Sequence, residues 1–138
     1  MKYLLDTNVI SEIQKINGNG NVKQYIHSIG IENLYLSAIT IGEICFGIEK
    51  LPAGRKKHEL SVWLYIQIPQ WFNNRMIYLD NDVFIEWGKL CAKVKKTLPC
   101  EDSILAAVAL CHNMTLVTRN TNDFEGIEGI KLLNPWDE

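Results

Sequence analysis

Met1-Lys-Tyr-Leu-Leu-Asp6-Thr7-Asn8-Val9-Ile10 begins with a short apolar run, Tyr3 to Leu5, breaks into three polar residues, and resumes apolar spacing at Val9, Ile10 and Ile13. That order reads as a buried strand, a polar turn and the start of a helix. In an open α/β sheet, ligands are held outside the carboxyl ends of the strands, beside helix N-termini. Asp6 therefore stands where an aspartate is either an ordinary helix cap or the first member of a site. The stretch alone leaves both open, and the decision falls to whether further carboxylates arrive at the same place.

The same punctuation recurs downstream. Asn8 to about Lys15 reads as a short helix closed by the loop Asn17-Gly-Asn-Gly-Asn21, and Val22, Tyr25, Ile26 and Ile29 space as a second helix stopped by Gly30. Leu34-Tyr-Leu-Ser37 reads as a strand feeding a helix from about Ile39 to Leu51, whose apolar stripe is Ile41, Ile44, Cys45 and Ile48, with Glu43 beside it. A basic run, Arg55-Lys-Lys-His58, opens a third helical stretch that is expected to break near Pro69. Such a run opposes the helix dipole, although a solvated surface turn explains it without any function.

Met76-Ile-Tyr-Leu79 is a third strand, with Asp80 and Asp82 as cap candidates for an amphipathic helix carrying Val83, Trp87, Leu90, Cys91 and Val94. Glu101 and Asp102 open a further helix, Ser103 to about Cys111, that is apolar nearly all round and so expected to be central. Thr115-Leu-Val-Thr118 is a fourth strand ending in the polar cluster Arg119-Asn-Thr-Asn-Asp123, and a last strand lies near Lys131-Leu-Leu133. Alternating strands and helices point to βα units around a parallel sheet.

The totals bound the rest. A chain of 138 residues forms one domain, residues 1–138, with 47% hydrophobic and 22% charged content, as in ordinary globular proteins. Fourteen basic and 16 acidic residues give a net charge of −2, which excludes a basic nucleic-acid coat; phosphate recognition would need local patches or a metal. The four cysteines form no CxxC pair, and the three histidines lack HxxxH spacing, so a zinc centre is not expected. The cysteines read instead as reduced, mostly buried thiols. Nothing reads as a signal peptide, because Asp6 cuts the N-terminal apolar run. The longest uncharged run, Ser103 to Thr118, is shorter than the roughly 20 residues of a membrane span. A cytoplasmic protein is expected.

Four carboxylates stand apart by position: Asp6 after strand one, Glu43 early in the helix after strand two, Asp102 at the start of the buried helix, and Asp123 after strand four. In a parallel sheet these element ends share one edge. Two carboxylates ~4 Å apart repel by roughly 1 kcal/mol in water and about 4 kcal/mol at an effective dielectric of 20. Four together therefore require protonation or a cation. Oxygen ligands without histidine or thiolate favour Mg²⁺ or Mn²⁺, a chemistry suited to phosphodiester hydrolysis. Each acid taken singly also reads as an independent cap or surface residue.

Taken whole, the chain resembles the PIN-domain proteins, in particular the VapC-type toxins of type II toxin–antitoxin pairs near the FitB-like branch. The matching residues are Tyr3 to Glu12, Leu36 to Glu43 with Gly47-Ile-Glu, Leu98-Pro99, Asp102 to Ala107, Leu116 to Asn120, Asp123-Phe124 and Leu133-Asn-Pro-Trp136. The resemblance implies a three-layer fold with a central four- to five-stranded parallel sheet flanked by helices. It matches Asp6, Glu43, Asp102 and Asp123 to the family's acidic quartet, with Asp6 and Asp102 as principal metal ligands and Glu43 and Asp123 ligating directly or through water. Asn8, Thr118 and Asn120 match polar positions around the acids, and Arg119 is a candidate substrate contact. An Mg²⁺- or Mn²⁺-dependent endoribonuclease is implied, forming a homodimer and inhibited by a small VapB-like antitoxin that also brings any DNA contact. The chain departs from the family at Cys100-Glu101, where relatives usually carry apolar residues; Glu101 is expected to face solvent. The Trp63, Trp71 and Phe72 region reads either as an antitoxin groove or as core.

Two other readings compete. One is a DNA-binding autoregulator that acts with its antitoxin and cleaves little, against which four acids at equivalent ends argue. The other is a phosphohydrolase with Asp6 as nucleophile, loosely similar to haloacid dehalogenase-type phosphatases, although Asn8 stands where their second aspartate would be.

Overall fold

All five apolar runs become strands of one parallel sheet in the computed structural model, which describes residues 1–137. They are β1 (Tyr3–Leu5), β2 (Leu34–Ser37), β3 (Met76–Ile77), β4 (Thr115–Val117) and β5 (Lys131–Leu133), in the order β3-β2-β1-β4-β5. Leu4 lies opposite Tyr35 on one side and Leu116 on the other, so β1 is central. The chain moves outward from β1 through β2 to β3, then returns to the other flank at β4. The order therefore reverses between β1 and β4, the kind of place where open α/β sheets bind ligands.

The helices are α1 (Thr7–Gln14), α2 (Gly20–Ile29), α3 (Ala38–Glu49), α4 (Arg55–Val62), α5 (Ile68–Trp71), α6 (Asn81–Lys93), α7 (Cys100–Cys111) and α8 (Thr121–Phe124). They cover both faces of the sheet. Leu5 and Val117 point into a core with Val9 and Ile10 of α1, Val22 and Ile26 of α2, Ile44 and Ile48 of α3, Trp63 and Ile68. Leu4 and Leu116, one residue earlier in their strands, point into the opposite core with Val83 and Leu90 of α6, Leu105 to Ala109 of α7, and Phe124. Burial on both faces is what makes parallel strands read as unbroken apolar runs. As expected, α7 is central, with Ser103 to Ala109 all buried. Among the described residues no helix is long and apolar enough to cross a membrane.

Three expectations are corrected. The helical stretch does not break at Pro69. It passes from α4 through a π-helical turn, Trp63–Gln67, into α5. Ile68 N–H donates to the Trp63 carbonyl, five residues back, and this widened turn shifts the hydrogen-bond pattern before proline's missing N–H would interrupt it. The third strand is two residues long rather than four, because Tyr78 is 78% exposed at the sheet edge and leaves the ladder. The cysteines are not mostly buried. Cys91 and Cys100 are exposed, and Cys45 and Cys111 are partly covered.

Trp63 and Phe72 are core residues, whereas Trp71 is exposed, as are Tyr65 and Ile66 between them. In the basic run, Lys57 donates to the carbonyls of Glu49 and Leu51, satisfying the end of α3, while Arg55 pairs with Glu59. The run therefore has a structural account.

Candidate functional site

β1 delivers Asp6 to the carboxyl edge of the sheet, where its N–H donates to the Val117 carbonyl at 2.9 Å. Its own carbonyl accepts from Val9 and Ile10 and starts α1. The side chain does not follow the usual capping pattern, which takes a hydrogen bond from the second or third helical residue. Oδ1 accepts from Thr7 N–H at 2.6 Å, and Oδ2 accepts from the Thr118 hydroxyl at 2.8 Å and, more distantly, from Asn8 Nδ2 at 3.4 Å. Thr118 is fully buried at the end of β4. A carboxylate only 7% exposed is thus pinned across the point where the strand order reverses.

The neighbouring side chains extend this network. Asn8 Oδ1 accepts from Arg119 N–H at 3.2 Å, tying the turn after β1 to the turn after β4. Asn120 N–H donates to the Thr118 hydroxyl at 3.1 Å, so the Asn120 backbone helps orient the group that holds Asp6. The Thr7 hydroxyl donates to Glu43 Oε1 at 2.9 Å, linking the first turn of α1 to α3. Thr7 has no place among the expected site residues. Its only sequence signal is its position inside the Asp-Thr-Asn turn, because the contact spans 36 residues. Arg119 directs its guanidinium elsewhere, 4.9 Å from the Trp136 ring centroid.

The acids sense one another. Burial, first, pushes the Asp6 carboxyl above its ordinary range, against the opposing pull of Thr118 and Thr7 N–H. Burial also raises half-buried Glu43, with Asp6, Asp102 and Glu101 adding repulsion. Asp102, in the first turn of α7, is raised by burial, then by Asp6, Asp123 and Glu101. Asp6, Glu43 and Asp102 therefore share one electrostatic neighbourhood, and Asp123 acts on Asp102. Asp123 lies on the exposed surface of α8, and Glu101 is exposed as expected.

Among the described residues the ion pairs are Lys15–Glu12 and Arg55–Glu59, so neither lysine nor arginine neutralises this cluster. No three acidic, histidine or cysteine side chains among the described residues are grouped closely enough to hold an ion as they stand. The donor set nevertheless fits a hard divalent cation: it consists of carboxylates with raised proton affinity, backed by hydroxyl and amide groups and free of thiolate and imidazole.

A model of the PIN domain family matches residues 3–129. The VapC ribonuclease Y4jK of Sinorhizobium fredii is 35% identical over 137 residues, covering 97% of each chain. Toxin FitB of Neisseria gonorrhoeae is 34% identical over 138 residues, 98% of this chain and 99% of that protein. Among solved structures, FitAB bound to an IR36 DNA fragment superposes with a TM-score of 0.89 at 34% identity, covering 97% of this chain and 95% of that one.

Proposed function

Since this chain belongs to the PIN-domain family, we propose that it is an endoribonuclease toxin that hydrolyses RNA phosphodiesters with Mg²⁺ or Mn²⁺ and is restrained by a small antitoxin. The observation that carries this reading is the buried Asp6, pinned by Thr118 and Thr7 N–H while Glu43 and Asp102 share its field with no lysine or arginine paired to them. Relatives of similar length named a ribonuclease and a toxin support the substrate and the biological role.

Asp6 and Asp102 would hold the cation, with Glu43 and Asp123 completing its surroundings directly or through water. Such a cation supplies charge neutralisation at the phosphate and acidifies water. The chain's own groups do the rest. Thr118 and Thr7 N–H fix both oxygens of Asp6, so that little reorganisation is needed when phosphate arrives. Glu43 has one oxygen held by the Thr7 hydroxyl, which leaves Oε2 to take a proton from the attacking water. Attack on phosphorus is in line, with no covalent protein intermediate.

The antitoxin supplies the DNA contact in this reading. A net charge of −2 gives the chain little attraction for duplex DNA, and the DNA-bound relative is a FitAB assembly. A homodimer in the cytoplasm belongs to the same proposal.

The test is incubation of the purified protein with total RNA and Mg²⁺ or Mn²⁺, beside Asp6→Asn and Asp102→Asn variants and a generic aryl phosphate. RNA cleavage is expected from the wild type only, and it should stop with EDTA. Cleavage that survives EDTA, or that both variants retain, contradicts the mechanism. Turnover of the aryl phosphate without RNA cleavage would favour the phosphatase reading instead.

A further inference from the structure

Next to the acid cluster, Ile39, Gly42, Glu43, Phe46 and Glu101 line an open cleft of about 420 Å³, within the size range of small-molecule sites. Phe46 follows Glu43 by one helical turn of α3, so both side chains emerge on the same side of the helix. The core-facing residues of α3 are Thr40, Ile44 and Ile48; Phe46 stands off that stripe and is 67% exposed. Its exposure persists although the Lys50 ammonium sits 5.0 Å from its ring centroid. An added Cβ at Gly42 would meet nothing within 4 Å, so the floor of the cleft is open. No packing requirement accounts for an aromatic ring here.

The geometry points to Phe46 as the platform on which one base of the RNA substrate stacks, with Glu101 favouring bases that carry an exocyclic amino group. This rests on the ribonuclease reading above and adds the subsite beside the cleaved bond. Single-stranded RNA is bound largely by stacking of unpaired bases on aromatic side chains. The charges choose which part of the nucleotide enters. Glu101 lines the cleft and stands outside the proposed cation shell, so its charge repels a phosphate there while a neutral base is not repelled. A carboxylate accepts hydrogen bonds only, which suits an amino group such as cytosine N4 and disfavours the carbonyl that uracil presents in its place. The Lys50 ammonium lies over one face of the ring, so the base takes the other.

The test uses a short single-stranded RNA copied from a site the wild type cleaves in total RNA. Versions carry cytosine, uracil or an abasic residue next to the cleaved bond. Wild type, Phe46→Ala, Phe46→Leu, Phe46→Trp and Glu101→Gln are compared by kcat/KM, with thermal melting as a check that each variant is folded. Phe46→Ala is expected to lower kcat/KM by about 5- to 150-fold on base-bearing RNA, the range set by stacking one base, and to leave the abasic RNA unchanged. Phe46→Trp should retain activity and Phe46→Leu should not. Glu101→Gln should narrow the preference for cytosine over uracil.

An equal loss on abasic RNA overturns the proposal. So do unchanged rates in Phe46→Ala, which would assign the exposed ring to a protein partner instead. A wild type that cleaves no RNA with either metal fails at the ribonuclease reading itself and takes the subsite with it, an outcome distinct from the other two.

Discussion

Asp6 and Asp80 are nearly the same in sequence and opposite in structure. Each follows an apolar run and precedes a helix, in Leu5-Asp-Thr-Asn-Val9 and Leu79-Asp-Asn-Asp-Val83. Asp80 behaves as a cap: its Oδ1 accepts from Val83 N–H, the third helical residue, at 3.1 Å, and it is exposed. Asp6 is buried and spends one oxygen on Thr118, a residue 112 positions away. The difference lies in the strand that delivers each one. β1 is flanked by β2 and β4, whereas β3 is the sheet edge. An aspartate leaving a central strand meets the ends of its neighbours, while one leaving an edge strand meets water. Local sequence sets the turn, and the sheet decides what the turn is for.

The largest effect should come from breaking Asp6 and Asp80 in parallel. Asp6→Asn is expected to lower RNA cleavage at least ~100-fold, since even groups that merely orient metal ligands are worth about 10–100-fold; Asp80→Asn should cleave as the wild type does in the same gel assay. Next, Thr118→Val should lower activity by about 10–100-fold. It should also cost roughly 1–3 kcal/mol in denaturant unfolding, because it leaves a buried carboxylate short of a donor. An unchanged midpoint would mean the Thr118–Asp6 bond does not hold the site.

Acidity sharpens the same contrast. Asp6, Glu43 and Asp102 have carboxyls raised by folding. Their stability is fully present below the ordinary values of 3.8 and 4.5 and is lost as pH rises through the raised values. Without metal, the melting temperature of Asp102→Asn should therefore exceed that of the wild type by a margin that widens from pH 4 towards neutrality. Mn²⁺ should reverse it by stabilising the wild type, by about 2.7 kcal/mol at a hundredfold excess over Kd. A margin that ignores pH contradicts the shared field. Asp80→Ala should cost about 1 kcal/mol as a lost cap, with or without metal. The smallest effect is Gly88→Ala in α6, where an added Cβ meets nothing within 4 Å; it should stabilise by up to about 1 kcal/mol and leave cleavage alone.

What was legible in the sequence follows a physical division. The strands showed because burial on both faces leaves unbroken apolar runs, as in Thr115–Val117. Asp6 stands out because it follows such a run, and Asp102 because it opens the buried helix. Thr7 did not show as a partner of Glu43, nor Lys57 as a cap for α3, since those contacts depend on how separate helices lie against one another. The run through Pro69 depends on a widened turn under Trp63 and Leu64, which packing selects and propensity opposes. Cys91 and Cys100 depart from the expected burial because composition reports how often a residue type is buried, whereas these two stand on the exposed sides of their helices.

The central claim is that Asp6 anchors a divalent cation shared with Asp102, while Asp80 only starts a helix. Calorimetric titration of Mn²⁺ into the wild type, Asp6→Asn, Asp102→Asn and Asp80→Asn tests it most directly. Saturable binding is expected for the wild type and Asp80→Asn, with loss in both of the other variants. Equal binding by all four proteins would contradict it.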